Sequence, residues 1–354
     1  MPTTEIGSES PEGKRQMTPL DKRRPWLALT WLMPLTVCAQ ADTSQTLYGV
    51  MDAAVRYTTN SDTSRSGTKA LVNGPRTSSR LGFRGRETID SDLQAIYMLE
   101  ASVDPAKGSL GGASATFNRF GFVGVKSRSL GEVTMGVQNS AIHEVLAFHG
   151  FDALEVGNNP DWTSYVGTQY APKYDRSLRY AQQLGALQVS AIAVIDDTRP
   201  LKDRPAGGTA VYKGQDWQFG GAYMKEEAGS PANHGRRETT VVGGGFKIGP
   251  VQWSGFFLNH ENPAVIRKDK TYVAGFAYDF APNLLLLGRV LATRTTVGPA
   301  SGFRRVAIVT AEYAMSKRTF PYVGIDYTTF SGVAVPRSNE NQRVGVTVGL
   351  RHRF

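Results

Sequence analysis

The side chains best placed to do chemistry in this sequence are arginines set at strand spacing. In SSRLGFRGRE (residues 78 to 87), Arg80, Arg84 and Arg86 share one parity. Strand side chains alternate with period two, so these three share one face. Arg56 and Arg119 fall on the equivalent face of their own runs by the same alternation. YDRSLRY (174 to 180) adds Arg176 and Arg179, whose facing a one-residue slip would reverse. Fixed charge on one face can filter charged solutes without any covalent step. Covalent and metal chemistry have little to work with. Of the five histidines (His143, His149, His234, His260 and His352), His143 and His149 share a loop, but not at i, i+4 on a predicted helix and with no third ligand evident. No G-x-S-x-G elbow is present. Neither GGASA nor Gly243-Gly244-Gly245 opens a helix, so no phosphate cradle is expected.

The arginines must be positioned by strands, because alternation is the dominant pattern. About sixteen runs alternate and are rich in Val, Tyr, Phe, Thr and Gly: 45–58, 78–89, 93–104, 115–128, 131–140, 174–184, 187–197, 208–214, 217–227, 239–249, 251–261, 270–280, 284–295, 305–316, 319–330 and 341–354. Short turns such as Ser127 to Leu130, Leu184 to Ala186, Gly249-Pro250 and Lys317-Arg318 follow even-numbered runs. Longer, more polar connections follow the odd ones: 59–77, 105–114, 141–173, 198–207, 228–238, 262–269, 296–304 and 331–340. The expected fold is all-β: a 16-stranded antiparallel transmembrane β-barrel with short periplasmic turns and long external loops.

A soluble sandwich would alternate too, so the content of each face decides. Tyr272, Ala274, Phe276, Tyr278 and Phe280 oppose Thr271, Val273, Gly275, Ala277 and Asp279; Leu47, Met51, Val55 and Tyr57 oppose Tyr48, Val50, Asp52, Ala54 and Arg56. The second face, with its Gly, Thr, Asp and Arg, does not read as a packed core. It suits a water-filled lumen, with the aromatic face against lipid. The final residues, RVGVTVGLRHRF, repeat the rule: Val344, Val346, Val348 and Leu350 outward, Arg343, Arg351 and Arg353 inward. Tyr57, Tyr180, Tyr278, Phe280, Tyr327, Phe330 and Phe354 fall near strand ends, where interfacial aromatic girdles sit.

Lys22, Arg23 and Arg24 precede the apolar run WLALTWLMPLTV (26 to 37) and then Ala39-Gln40-Ala41, the pattern of a secretory signal peptide over residues 1–41. A start at Met17 would give that leader ordinary proportions, and residues 1–16 are then a mis-assigned start. The one cysteine, Cys38, lies inside the leader, so residues 42–354 form a single domain with no disulfide or thiolate site. Net charge is +9 over the whole chain and about +8 beyond residue 41. The basic residues are dispersed, and export argues against nucleic acid as partner.

Several stretches resemble the general porins of Gram-negative outer membranes, of the neisserial and burkholderial type: QTLYGVMDAAVRY, SSRLGFRGRE, LQAIYMLEAS, FNRFGFVGVKS, GEVTMGVQNS, YDRSLRYAQ and the terminal VGLRHRF. The resemblance spans nearly the whole chain beyond the leader. It implies a homotrimer of sixteen-stranded barrels, each narrowed by an inward-folded third loop, through which small hydrophilic solutes and ions diffuse. Arg80 matches the family's wall arginine, with Arg84, Arg56, Arg119 and Arg179 as further basic wall candidates. The loop SAIHEVLAFHGFDALEVGNNPDWTSYVGTQYAPK corresponds to the constriction loop, whose acidic residues are Glu144, Asp152, Glu155 and Asp161. Basic wall facing acidic loop would produce a transverse field.

Phe354 is similar to the signal read by the barrel-assembly machinery. Outer-membrane lipid and lipopolysaccharide are the other implied partners, and no cofactor is implied. One departure is Gly136-Val137-Gln138 where the family carries G-R-Q, so a constriction arginine is expected to be missing. The second loop, DPAKGSLGGA, is short for a subunit latch. The alternatives are a substrate-selective outer-membrane channel and a barrel enzyme. The enzyme would need a Ser/His or Asp/His constellation, for which His352 is the sole histidine at a barrel end.

Overall fold

A computed structural model describes residues 43–61, 66–112, 115–154, 166–196, 203–228, 235–336 and 340–354. The expected leader, residues 1–41, lies outside the described residues. In chain order the described elements are β1 (Thr43–Thr58), β2 (Thr68–Asn73), β3 (Arg80–Thr88), β4 (Leu93–Asp104), β5 (Ser109–Leu110), β6 (Phe120–Ser127), β7 (Gly131–Asn139), helix α1 (Ala141–Phe148) and β8 (Lys173–Leu184). There follow β9 (Leu187–Val194), β10 (Ala206–Lys213), β11 (Trp217–Ala228), β12 (Gly235–Ile248), β13 (Val251–Asn262), β14 (Arg267–Ala281), β15 (Leu284–Val297), β16 (Ala300–Tyr313), β17 (Thr319–Gly332) and β18 (Gln342–Arg353). β2 pairs with the second half of β1, and β5 with the end of β4. The other sixteen strands form the antiparallel wall.

Closure follows from how β1 is shared. Its first half pairs with β3, from Thr43↔Glu87 to Val50↔Arg80, and its second half with β18, from Val50↔Arg353 to Thr58↔Gly345. The first and last described strands therefore meet, and the wall they close presents no open edge to lipid. Phe354 completes the seam: its N–H donates to the Gly49 carbonyl at 3.1 Å and its own carbonyl accepts from the Gly49 N–H at 3.0 Å.

The two faces segregate as alternation requires. Leu47 and Val55 are 65 % and 60 % exposed on the outside, while Asp52, Ala54 and Arg56 between and beyond them are buried. On β18, Val344, Val346, Val348 and Leu350 point outward and Arg351 inward. An apolar band with aromatic ends is what a hydrocarbon slab selects. Two expectations need correction. Phe330 is no girdle residue: it is buried on the inner face, with the Arg304 and Arg343 guanidinium carbons each 5.6 Å from its ring centre. The connections expected over 262–269 and 296–304 are short, because β13 to β16 continue their pairing to Asn262↔Arg267 and Val297↔Ala300. Gly298 turns the second of these hairpins at φ 56°, a left-handed geometry that glycine adopts without strain.

The inner face is not uniformly polar either. Ile192, Val211, Met224, Val241, Phe256, Leu258, Val273, Leu287, Leu291, Val306 and Ile308 project inward from β9 to β16 and are buried. They form an apolar pad that the polar inner faces of β1 and β14 did not announce. The described residues between β7 and β8 pack on this pad, burying Ala141, Ile142, Val145, Leu146, Phe151, Leu154 and Val166. The barrel thus holds a small hydrophobic core on one side and open space on the other.

Candidate functional site: the lumen beside the inward loop

The open side is a cavity of about 1240 Å³, walled by β1, β3, β4 and β6 to β8 and faced by α1. Helix α1 begins where the Ser140 hydroxyl accepts the His143 N–H at 3.2 Å, a side-chain cap. Its apolar residues fall at 141, 142, 145 and 146, on the face that meets the pad. His143, Glu144, Ala147 and Phe148 form the opposite face and line the cavity. The sequence carried this i, i+1, i+4, i+5 pattern in AIHEVLAF, but at two turns it was too short to stand out among strands.

Four cations gather on the wall: Arg80, Arg84, Arg119 and Lys173 all line the cavity. One carboxylate, Glu100, serves them. Arg119 Nε lies 2.6 Å from Glu100 Oε1 and Arg80 Nε lies 3.7 Å from Glu100 Oε2, to which the Tyr48 hydroxyl also donates at 2.7 Å. Arg84 stacks on the Tyr48 ring at 5.2 Å and Lys173 on the Phe120 ring at 4.1 Å, so aromatic faces hold the cations in place of further acids. Lys173 and Glu100 were not singled out from the sequence. Lys173 opens a strand after a long loop, and no local pattern ties it to residue 80 or 119.

The loop carboxylates do not face these cations. Arg179 grips Glu144 through two hydrogen bonds, of 2.6 and 3.2 Å, and Ser190 donates to it at 3.1 Å. Asp152 is sealed against the pad, 2.8 Å from Arg289, with both side chains essentially inaccessible. Arg56 points inward as expected but is buried against Asp326 at 2.6 Å and Thr347 at 2.9 Å, so it does not line the cavity. Glu155 and Asp161 lie outside the described residues. Among the described residues, the cavity lining carries five Arg/Lys and three Asp/Glu side chains.

Arg179 reaches the lumen because of a β-bulge. Gly136 pairs with Ser177 but Gln138 with Tyr174, so Asp175 and Arg176 oppose one residue and the parity of β8 switches between Tyr174 and Ser177. Arg176 takes φ 48°, has 61 % of its side chain exposed, and sits 3.5 Å from Asp196. Arg86 is exposed on β3, beyond Arg84 toward the short-turn end. Gln138 lines the cavity and Val137 does not. His352 shares a hydrogen bond with Thr319 at 3.0 Å.

Ionisation follows from these contacts. Burial alone would push the Glu144 carboxyl up, but hydrogen bonding to His149 and the adjacent Arg179 charge hold it at about 2. Burial, with Lys173 and Arg119 nearby, lowers the His143 imidazole to about 3, so it is neutral at physiological pH. A carboxylate held below its ordinary 4.5 stabilises the folded arrangement above that pH and loses its contribution as pH falls toward 2. The Glu144 tether of α1 to β8 should therefore weaken only in that acid window. Open-channel current noise recorded against pH should stay flat from 7 to about 5 and rise below about 4.5. A rise centred near 6.5, where an ordinary histidine titrates, would contradict it.

Residues 28–333 match the family model of the Gram-negative porins. The major outer membrane protein P.IB of Neisseria lactamica is 28 % identical over 351 residues, which is 93 % of this chain and 98 % of that protein. An outer membrane porin protein of Bordetella pertussis is 31 % identical over 126 residues, about a third of each chain. Among solved structures, the anion-selective porin from Comamonas acidovorans superposes with a TM-score of 0.72 at 18 % identity, over 88 % of this chain and all of that one. A closed sixteen-stranded barrel, a loop folded onto one inner wall, an open lumen beside it and a family match over most of the sequence converge: this chain belongs to the Gram-negative porins, the passive diffusion channels of the outer membrane.

Proposed function

We propose that this channel passes small hydrophilic solutes with a preference for anions, set by Arg80, Arg84, Arg119 and Lys173. The observation that carries the reading is the imbalance of the lining, five Arg/Lys side chains against Glu100, Glu132 and Glu144; Glu132 and Glu144 both lie against Arg179, which leaves Arg80, Arg84, Arg119 and Lys173 around Glu100. An anion entering the lumen meets uncompensated positive charge; a cation meets it too and is repelled. The loop carboxylates oppose this little, since Glu144 and Asp152 are spent on Arg179 and Arg289. The filter therefore rests on one charged wall rather than on a basic wall facing an acidic loop. The Comamonas neighbour, described as anion-selective, fits this reading. Liposome swelling tests it: small anionic solutes should enter faster than neutral sugars of equal size, and sugars should slow steeply with mass. Equal rates for anionic and cationic solutes would remove the proposed filter.

Transport of this kind requires no catalytic group. A homotrimer is part of the reading, supported by the full-length match to a porin relative and by a Vibrio cholerae neighbour described in its trimer form. So are lipid contact over the apolar band and recognition of Phe354 by the assembly machinery. Phe354→Ala should lower the yield of folded barrel on refolding and leave the conductance of the folded fraction unchanged. An unchanged yield would leave the residue as an ordinary lipid-facing ring. A substrate-selective channel is favoured by one feature: the Phe120 and Phe122 rings, 6.0 Å apart edge to face, line the lumen beside Arg119 and Lys173. Current block by an aromatic carboxylate at concentrations where acetate has no effect would support it.

A further inference from the structure

One aromatic residue of the inward loop turns to water rather than to the pad. Phe148, at the end of α1, is 60 % exposed and lines the lumen cavity, while Ile142, Val145 and Leu146 of the same helix are sealed against the barrel. The ring does not sit on a loose segment. Glu144, one turn earlier on the same face, is held by Arg179, and the Gln218 amide donates to the His149 carbonyl just beyond. Gly150, at φ 63°, then turns the chain. The helix thus presents an aromatic face to the lumen at a fixed place.

The wall across the cavity carries a matching apolar surface. Arg84 pairs with Met98 and Met98 with Phe122 in the registers of β3, β4 and β6, and all three line the cavity. The next position in that row, on β7, is Gly136, which has no side chain to cover the Phe122 ring. Two residues along the strands, about 7 Å toward the long-loop end, the row becomes Glu100 and Phe120. Arg119 and Lys173 stand at that level. Glu100 is shared between Arg80 and Arg119, while Lys173 rests on the Phe120 ring and donates to the Asn139 side-chain oxygen. An apolar level and a cationic level therefore lie one above the other along the pore. Exposed apolar surface in a cleft, edged by a few convergent charges, is the form of a small-molecule site.

We infer that the lumen holds a binding station for small arene carboxylates, the ring lying between Phe148 and the Met98–Phe122 surface and the carboxylate on Lys173 and Arg119. The inference rests on the anion preference proposed above and adds to it a substrate class, with Phe148 as the residue that selects it. The step of about 7 Å suits a single ring whose carboxylate is one or two bonds away, once the length of a hydrogen bond is added. A small inorganic anion uses the cations and leaves both apolar surfaces wet. An uncharged arene covers those surfaces and leaves the positive charge unanswered. A saturated ring acid has both parts but lacks the face-and-edge attraction of an aromatic pair and the ring that a thioether favours. The station is open to water on its free side, so it holds its ligand weakly enough to release it, as conduction requires.

Planar-bilayer recording of the refolded channel tests the proposal, with phenylacetate, cyclohexylacetate and 2-phenylethanol added in turn. Phenylacetate should interrupt the open-channel current at a concentration about three- to ten-fold below cyclohexylacetate, the margin an aromatic pair supplies. It should act about ten-fold below the alcohol, which brings no charge to the wall. F148A should raise the phenylacetate concentration needed roughly ten-fold, F122A on the opposite wall should act like it, and F148Y should stay near the parent. Ohmic steps from each variant report a folded barrel. The chloride-to-potassium permeability ratio of the parent, taken in the same bilayers, reports the anion preference separately. No preference would overturn that reading and this site with it. A preference kept, with F148A blocked at the parent's concentration, overturns this site alone. So does equal block by phenylacetate and cyclohexylacetate, which would make the surface a general apolar contact. Block lost in F148A but kept in F122A would put the ring on α1 only and overturn the two-sided station.

Discussion

Replacing Arg80, Arg119 and Lys173 together by glutamine should abolish the anion preference of the channel. The substitution leaves Arg84 as the one cation of the group beside Glu100, so the excess positive charge of this wall is lost. Even at the dielectric of water, a unit charge about 4 Å from a passing ion is worth about 1 kcal/mol. Three charges at somewhat larger distances should change the chloride-to-potassium permeability ratio roughly ten-fold at low salt. The difference should shrink in about 1 M KCl, where the Debye length falls to about 3 Å. Arg56→Gln provides the contrast. That arginine is locked to Asp326 away from the cavity, so its loss should cost stability and leave selectivity nearly untouched. A triple variant that kept its preference would shift the filter to the loops.

Asp152→Ala should unseat the inward loop. It leaves Arg289 buried in the apolar pad without the carboxylate now 2.8 Å away, and breaking one side of a buried ion pair typically costs about 3–5 kcal/mol. The cost falls on the attachment of the loop rather than on the barrel, whose strand ladder is intact on both sides of β15. The expected readouts are closure at lower applied voltage, noisier open-channel current and new protease sensitivity around residues 149–154, with the folded barrel still formed. D152L/R289M replaces the pair with apolar groups suited to the pad and should restore quiet channels, because an apolar substitute for a buried ion pair is often neutral or stabilising. Gly275 also leaves room for the loop: a Cβ there would lie 2.9 Å from the Ala153 Cβ, and 2.8 Å from the Gly288 carbonyl oxygen on β15, so a larger residue would press on the loop and the wall together. If Asp152→Ala channels gated like the parent, the ion pair would not be what anchors the loop.

The sixteen wall strands and the facing of most of their residues were legible in the sequence, for a physical reason. Each strand has one face against lipid and one against water or loop, so period-two alternation survives in every run from Leu47 to Leu350. What alternation could not show is anything set by contacts between distant strands. The β8 bulge changes parity at Asp175 and Arg176 through pairing with β7, and only then does Arg179 reach the lumen to hold Glu144. The apolar pad was hidden because it is built from one or two residues on each of eight strands, and no single strand looks like a core strand. The partners of Glu144, Asp152 and Arg56 lie 35, 137 and 270 positions away along the chain. Which lumen charges are free to act on a solute is decided by those pairings, and single-segment patterns do not encode them.

The most direct test of the central claim is the zero-current potential of the refolded channel in a planar bilayer under a KCl gradient at low salt. The account predicts discrete ohmic steps and a potential whose sign corresponds to chloride passing more readily than potassium. A potential of the opposite sign would contradict it, because it would mean that carboxylates, not the Arg80–Arg84–Arg119–Lys173 wall, set the field an ion meets.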